Sequence, residues 1–230
     1  MLSITLTIDD IASKNTPAIV DYLNSKGIPA VMFAVGENVE KYYDEAIYAL
    51  QKGMIVGNHS YSHPAFSQLS LEDGIADFEK NEAVLDKLYK DAGVERKYRP
   101  VRFPYGDKGG ANKAGYQEYF ARRGFTKIDD SKITYPWWHE TGLDKDIDTL
   151  WTYDFEEYRV RPESGFTFDD VLKKMDVTNP VQGGALYDEN SHQMLLLHAH
   201  DETDEMAPKY YQILIEKLLE HGAVFSVNFK

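Results

Sequence analysis

Short apolar runs, each followed by a segment of helical periodicity, recur along this chain, and that alternation restricts its fold more than any other feature. Residues 4–8 read Ile-Thr-Leu-Thr-Ile, residues 30–35 Ala-Val-Met-Phe-Ala-Val and residues 54–56 Met-Ile-Val. Further strands are predicted over residues 98–103, 148–153, 194–198 and 223–229. Between them, helices are predicted over residues 16–24, 36–52, 70–91, 114–123 and 208–221, with Ser70 as the N-cap of the longest. Residues 130–147, rich in aromatic and polar side chains, read as loop. Repeated strand–helix units imply an α/β fold with a mostly parallel sheet, which at 230 residues means a barrel or a doubly wound sheet. Neither an internal repeat nor a linker interrupts the pattern, so residues 1–230 are expected to form one domain.

In parallel α/β folds the chemistry gathers at the carboxyl ends of the strands. The first strand ends in Asp9-Asp10. Two adjacent carboxylates are costly to hold together without a positive partner, and successive strand residues point to opposite faces, so the two can take different tasks. The third strand runs into Gly57-Asn58-His59-Ser60-Tyr61-Ser62-His63. Histidines four apart fall on one face of a helical turn and can share one cation; with an aspartate they make a two-histidine, one-carboxylate set that leaves positions open for water and substrate. After the fourth strand comes Arg102-Phe103-Pro104-Tyr105-Gly106. The arginine can hold a carboxylate ionised, and the turn can offer a backbone N–H to a developing oxyanion. The run Met194-Leu195-Leu196-Leu197 ends in His198, placed as a general acid, with His200 close behind as a competitor for that assignment.

Composition narrows the partners. The formal net charge is −13 with no cluster of Lys and Arg, which argues against nucleic acid and anionic membrane. No cysteine is present, so any metal must be held by histidine and carboxylate. No apolar run reaches membrane-spanning length and nothing resembles a signal peptide; the expectation is a cytoplasmic protein, or an exported one without its signal.

Taken in order, Thr7-Ile8-Asp9-Asp10, His59-Ser60-Tyr61-Ser62-His63, Arg102-Phe103-Pro104-Tyr105-Gly106 and Leu196-Leu197-His198 resemble the first, second, third and fifth motifs of the polysaccharide deacetylases of carbohydrate esterase family 4, which share the NodB homology domain. The resemblance covers nearly the whole chain. It implies a distorted (β/α) barrel, irregular and with about seven strands, that hydrolyses acetyl groups on a carbohydrate. By position Asp9 would be the general base, Asp10, His59 and His63 the metal ligands, and His198 the general acid. Arg102 would orient Asp9, the N–H of Tyr105 would help hold the oxyanion, and Leu196 would line the pocket for the acetyl methyl. A divalent cation is implied, zinc first, with cobalt, nickel, manganese and iron as alternatives.

The fourth motif is the least regular. Trp151 followed by Glu157-Tyr158 fits its spacing, with Glu157 supporting His198 and Asp154 competing for that role. The first motif continues with Ile11-Ala12 where the family usually has Gly-Pro, and Phe103 stands where proline is common. The expected substrate is an acetylated carbohydrate, with N-acetylated amino-sugar polymers or oligomers of the chitin or peptidoglycan kind ahead of O-acetylated xylan. A non-sugar amide or imide is a further alternative. Tyr135, Trp137, Trp138 and His139 either stack on sugar rings or pack a loop onto the barrel. The oligomeric state is left open.

Overall fold

The computed structural model describes residues 1–230, and its six strands all run parallel. They are β1 (Ser3–Ile11), β2 (Ala30–Ala34), β3 (Ile55–Asn58), β4 (Tyr153–Asp154), β5 (Gln193–His198) and β6 (Val224–Phe225). The sheet order is β3-β2-β1-β5-β4, with β6 beside the start of β1. Nine helices connect and cover the strands: α1 (Thr16–Ser25), α2 (Gly36–Lys41), α3 (Tyr43–Gln51), α4 (Leu71–Ala92), α5 (Lys113–Arg123), α6 (Pro136–Glu140), α7 (Phe168–Met175), α8 (Asp201–Met206) and α9 (Tyr210–Glu220).

The period-two alternation of the strands sorts their side chains. Ile4, Leu6 and Ile8 of β1, Met32 of β2 and Leu195 and Leu197 of β5 enter the main apolar cluster, where they meet Ile19 and Leu23 of α1 and Leu214 and Leu218 of α9. The opposite face carries Thr5, Thr7 and Asp9 from β1. Val31, Phe33 and Met194 on that face join a smaller cluster with Ile128, Ile133 and Trp138. A strand covered on both faces explains why β2 reads as a continuous apolar run.

Of the about seven strands expected of an irregular barrel, six form. Residues 98–103 contribute only Val101, which makes a single parallel bridge to Asn58. Pro100 lies within this stretch and Pro104 follows it, and prolines withhold the N–H that a ladder needs. The predicted strand over 148–153 contracts to Tyr153–Asp154. The ladder is therefore open between Val101 and β4, and the gap is spanned by Thr149 N–H donating to the Val101 carbonyl (2.9 Å). This is the distortion of the barrel.

The longest helix begins where the sequence places it. Ser70 Oγ accepts from Asp73 N (3.1 Å), and Gly93 closes the other end at φ 69°. The segment 36–52 is two helices rather than one, broken at Tyr42 (φ −124°, ψ 54°). Three helices, α6, α7 and α8, lie outside the predicted ones. α7 starts in a capping box between Thr167 and Asp170, and α8 follows directly on His200. The 130–147 loop contains the short helix α6.

Candidate active site

Asp9 and Asp10 do not point to opposite faces. The pairing of β1 with β2 slips between Ile8 and Ile11, and Asp10 sits at φ 64°. This bulge turns the second carboxylate back toward the first. Both then meet the His59 ring, whose Nε2 lies 3.4 Å from Asp9 Oδ2 and 3.5 Å from Asp10 Oδ1. Ser60, His63, Tyr105 and Glu156 also have φ between 55° and 65°. Left-handed backbone at non-glycine residues costs about 1–3 kcal/mol each, so its concentration here indicates strain held in place to aim side chains.

Asp10, His59 and His63 bring three donor atoms together. Asp10 Oδ1 lies 3.3 Å from His63 Nε2 as well as 3.5 Å from His59 Nε2, yet it is buried without a hydrogen bond. His59 Nδ1 donates to the Arg102 carbonyl (2.9 Å), which leaves Nε2 with its lone pair facing the carboxylates. Burial pushes the His59 pKa down, against the pull of Asp9 and Asp10, and so favours the neutral ligand form. Burial would raise Asp10, but His200, His63, His59 and His198 outweigh it and hold the carboxyl well below the usual range. An orphaned buried carboxylate oxygen between two imidazole nitrogens fits a divalent cation, and two nitrogens with one oxygen leave coordination open.

Helix α4 anchors the loop that carries the two histidines. Asn58 donates to Glu82 Oε1 (2.9 Å) and accepts from Ser60 N (2.8 Å) and Asn81 Nδ2 (2.9 Å). Asp77 accepts from Tyr61 N (2.7 Å) and Ser62 Oγ (2.6 Å). Glu82 is in turn gripped by Arg96 and Arg99. Sequence reasoning missed all three acceptors and donors on α4. The available signal was the polar pair Asn81-Glu82, fully buried on an amphipathic helix.

Arg102 is fully buried and pairs with Asp9 as expected: Nη1 donates to Asp9 Oδ1 (2.8 Å) and to Thr7 Oγ1 (2.7 Å), while Nε donates to the Thr149 carbonyl (2.9 Å). Its guanidinium lies over Phe33 and Trp151. Tyr105, at φ 59°, is exposed and sets its ring edge-on to His63 at 4.6 Å. Gly106 must be glycine, because at φ 65° an added Cβ would stand 2.9 Å from the Trp151 ring.

His198 faces the aspartates from β5, where it is the register partner of Asp9. Glu157 Oε1 accepts from both His198 Nδ1 (3.1 Å) and His198 N (2.6 Å), which puts Glu157 rather than Asp154 in the supporting position. Burial would lower the His198 pKa, but the Glu157 charge and hydrogen bond, with Asp10 and Asp9 behind them, raise it to about 10. Asp154 is close by, and burial together with the Glu157 charge pushes its carboxyl up to about 6. Leu196 is buried two residues before His198 on the same strand face and pairs with Thr7.

Two clefts flank these groups. A polar one of about 350 Å³ is lined by Asp10, His63, His200, Lys41, Asp201 and Glu202. A larger one of about 740 Å³ is lined by Tyr105, Trp137, Trp151, Asp154, Tyr158 and Lys174. The aromatic segment divides accordingly. Trp137 faces the larger cleft, Trp138 is buried with its Nε1 donating to Asp130 (3.0 Å), and His139 pairs with Asp144 within the loop.

Known proteins share both sequence and fold with this chain. The peptidoglycan-N-acetylglucosamine deacetylase of Bacillus cereus is 33% identical over 105 residues, 45% of this chain and 36% of that protein. The peptidoglycan-N-acetylmuramic acid deacetylase PdaC of Bacillus subtilis is 35% identical over 106 residues, 45% of this chain and 21% of that protein. The matching stretch thus spans little more than a third of the one relative and about a fifth of the other. The crystal structure of the Bc1960 peptidoglycan N-acetylglucosamine deacetylase superposes with a TM-score of 0.66 at 21% identity, covering 97% of this chain and 85% of that one, a likeness of fold. Residues 2–119, about half of the chain and the part that carries Asp9, Asp10, His59, His63, Arg102 and Tyr105, match the family model described as polysaccharide deacetylase, and the chain belongs to that family.

Proposed function

We propose that this chain is a metal-dependent deacetylase that removes N-acetyl groups from an amino-sugar polymer or oligomer of the chitin or peptidoglycan kind. The observation that carries the reading is the placement of Asp9 and His198 opposite each other on adjacent parallel strands, with the Asp10–His59–His63 donor set beside them. A divalent ion in that set, zinc first and cobalt, nickel, manganese or iron as alternatives, would supply Lewis-acid polarisation of the attacking water and the acetyl carbonyl.

The side chains then divide the proton transfers. Asp9 Oδ1 is engaged by Arg102, which keeps the carboxylate ionised and oriented, and Oδ2 takes the proton from water as its oxygen attacks the acetyl carbon. The Tyr105 N–H, presented by the tight turn, donates to the oxyanion. As the carbon–nitrogen bond breaks, His198 gives its proton to the departing amine, and acetate and a free amino sugar result. Glu157 holds His198 as an imidazolium at neutral pH, the state an acid must start from. Leu196 receives the acetyl methyl, and Trp137, Trp151 and Tyr158 offer stacking faces for sugar rings in the larger cleft.

The test is acetate release, followed by mass spectrometry, from chitin oligomers, peptidoglycan fragments, O-acetylated xylan and simple amides, with and without chelator. Release from the N-acetylated glycans that stops with chelator and returns with zinc is the expected result. No release from any acetylated sugar by the zinc-loaded protein would overturn the reading. Faster release from xylan would replace it with an esterase, and preference for small amides would remove the sugar assignment.

A further inference from the structure

His200 is absorbed by none of the roles above, yet it makes the closest side-chain contact that either catalytic aspartate has with a histidine. Its Nε2 lies 2.7 Å from Asp10 Oδ2, the oxygen turned away from His59 and His63. His200 does not belong to the group of donor atoms that gathers around Asp10 Oδ1. Its other ring nitrogen faces Arg161, whose Nη2 stands 3.5 Å from Nδ1. A guanidinium offers only donors, so Nδ1 accepts and the ring carries its proton at Nε2, where it donates to Asp10. Arg161 is itself fixed, through Nη1, by Thr203 Oγ1 (2.9 Å) and the Val160 carbonyl (2.8 Å).

From this chain of contacts we infer that Arg161 and His200 are positioning residues for the metal site: Arg161 sets the His200 tautomer, and His200 occupies Asp10 Oδ2 so that Oδ1 alone is directed at the cation. The geometry explains how a carboxylate on a bulge keeps one rotamer. It also ties two functions to one segment. The turn that contains Glu157 orients the acid His198, and four residues later Arg161 steadies the ligand Asp10 through His200. Outer partners of this kind usually contribute about 10–100-fold to metal affinity.

The inference rests on the metal reading of the site, and zinc affinity tests it without any substrate. Zinc is titrated into the wild type, His200→Ala, His200→Gln, Arg161→Met and His59→Ala in competition with a chromophoric chelator, with thermal melts to verify folding. The expected result is a loss of about 10–100-fold for His200→Ala, a smaller loss for Arg161→Met, and recovery in His200→Gln, whose amide can still donate. In the wild type, ¹H–¹⁵N spectra of the imidazoles should place the His200 proton on Nε2. Wild-type affinity in His200→Ala would overturn the inference alone. So would a loss as complete as that of His59→Ala, because His200 would then be a ligand, or a proton found on Nδ1. A wild-type protein that binds no zinc would overturn the metal reading with it.

Discussion

Asp9 and Asp10 carry the same functional group one residue apart, and their neighbours separate them. Asp9 is held by the Arg102 guanidinium, whereas Asp10 is surrounded by imidazoles. Asp9→Asn should therefore lose nearly all turnover while zinc still binds, and His59→Ala should lose zinc affinity first; equal loss of metal in both variants would show the division to be wrong. His198 and Glu157 give a second prediction. Because the His198 pKa is raised to about 10, the imidazolium stabilises the fold fully below the ordinary value of 6.5, and that contribution fades as pH rises through about 10. In Glu157→Gln the pKa should fall. The alkaline limb of kcat/KM then moves to lower pH, and the stability gap between variant and wild type, measured by urea melts, narrows as pH is raised across that window. His198→Ala, which removes the proposed acid, should cost about 10²–10⁴-fold in kcat on an amide substrate.

At the scale of elements, the strand ends were legible because buried strands announce themselves by apolar runs and the acids and histidines interrupt those runs. Asp9, His59, Arg102 and His198 all stand at or just beyond such ends. What the pattern does not encode is the local slip in β1 that brings Asp10 around, since a bulge depends on the pairing partner rather than on residue type. The stretch 98–103 misled for a related reason: Val101 and Phe103 are buried, but Pro100 within it and Pro104 just after it withhold N–H groups that a ladder needs. The polar face that α4 turns to the histidine loop was equally hidden, because a buried Asn is recognised only through its partners. Asn81 Nδ2 donates to the Ala34 carbonyl (2.8 Å) and to Asn58 Oδ1 (2.9 Å), so Asn81→Ala deletes two buried hydrogen bonds and leaves these acceptors only the backbone N–H groups of His59 and Ser60. The cost should be about 1–3 kcal/mol, which for a chain of this size lowers Tm by roughly 2–4 °C per kcal/mol. Zinc affinity should fall with it, as the loop carrying His59 and His63 loses an anchor. Unchanged Tm and zinc affinity would mean that α4 is not what holds the loop.

For the whole molecule, the net charge of −13 acts on any charged polymer before the site does. The cations near the two clefts do little to offset it. Lys174 is paired with Glu156 (2.7 Å), and Lys41 shares the polar cleft with Glu37, Asp201 and Glu202. A polyanionic glycan therefore meets repulsion along either approach to Asp9 and His198, whereas an uncharged N-acetylglucosamine oligomer meets none and can use the aromatic faces of Trp137, Trp151 and Tyr158. Repulsion between exposed charges is screened over a Debye length of about 30 Å at 0.01 M salt, about 10 Å at 0.1 M and about 3 Å at 1 M. Raising the ionic strength through this range should increase kcat/KM several-fold for an acidic acetylated oligosaccharide and leave the neutral oligomer nearly unchanged, with the effect in KM rather than kcat because it operates on encounter. Rates measured on the two substrates at one pH and a saturating zinc concentration separate the cases. If the acidic substrate instead slowed as salt rose, a basic track would have to run into the site, and the preference for neutral glycans would be wrong.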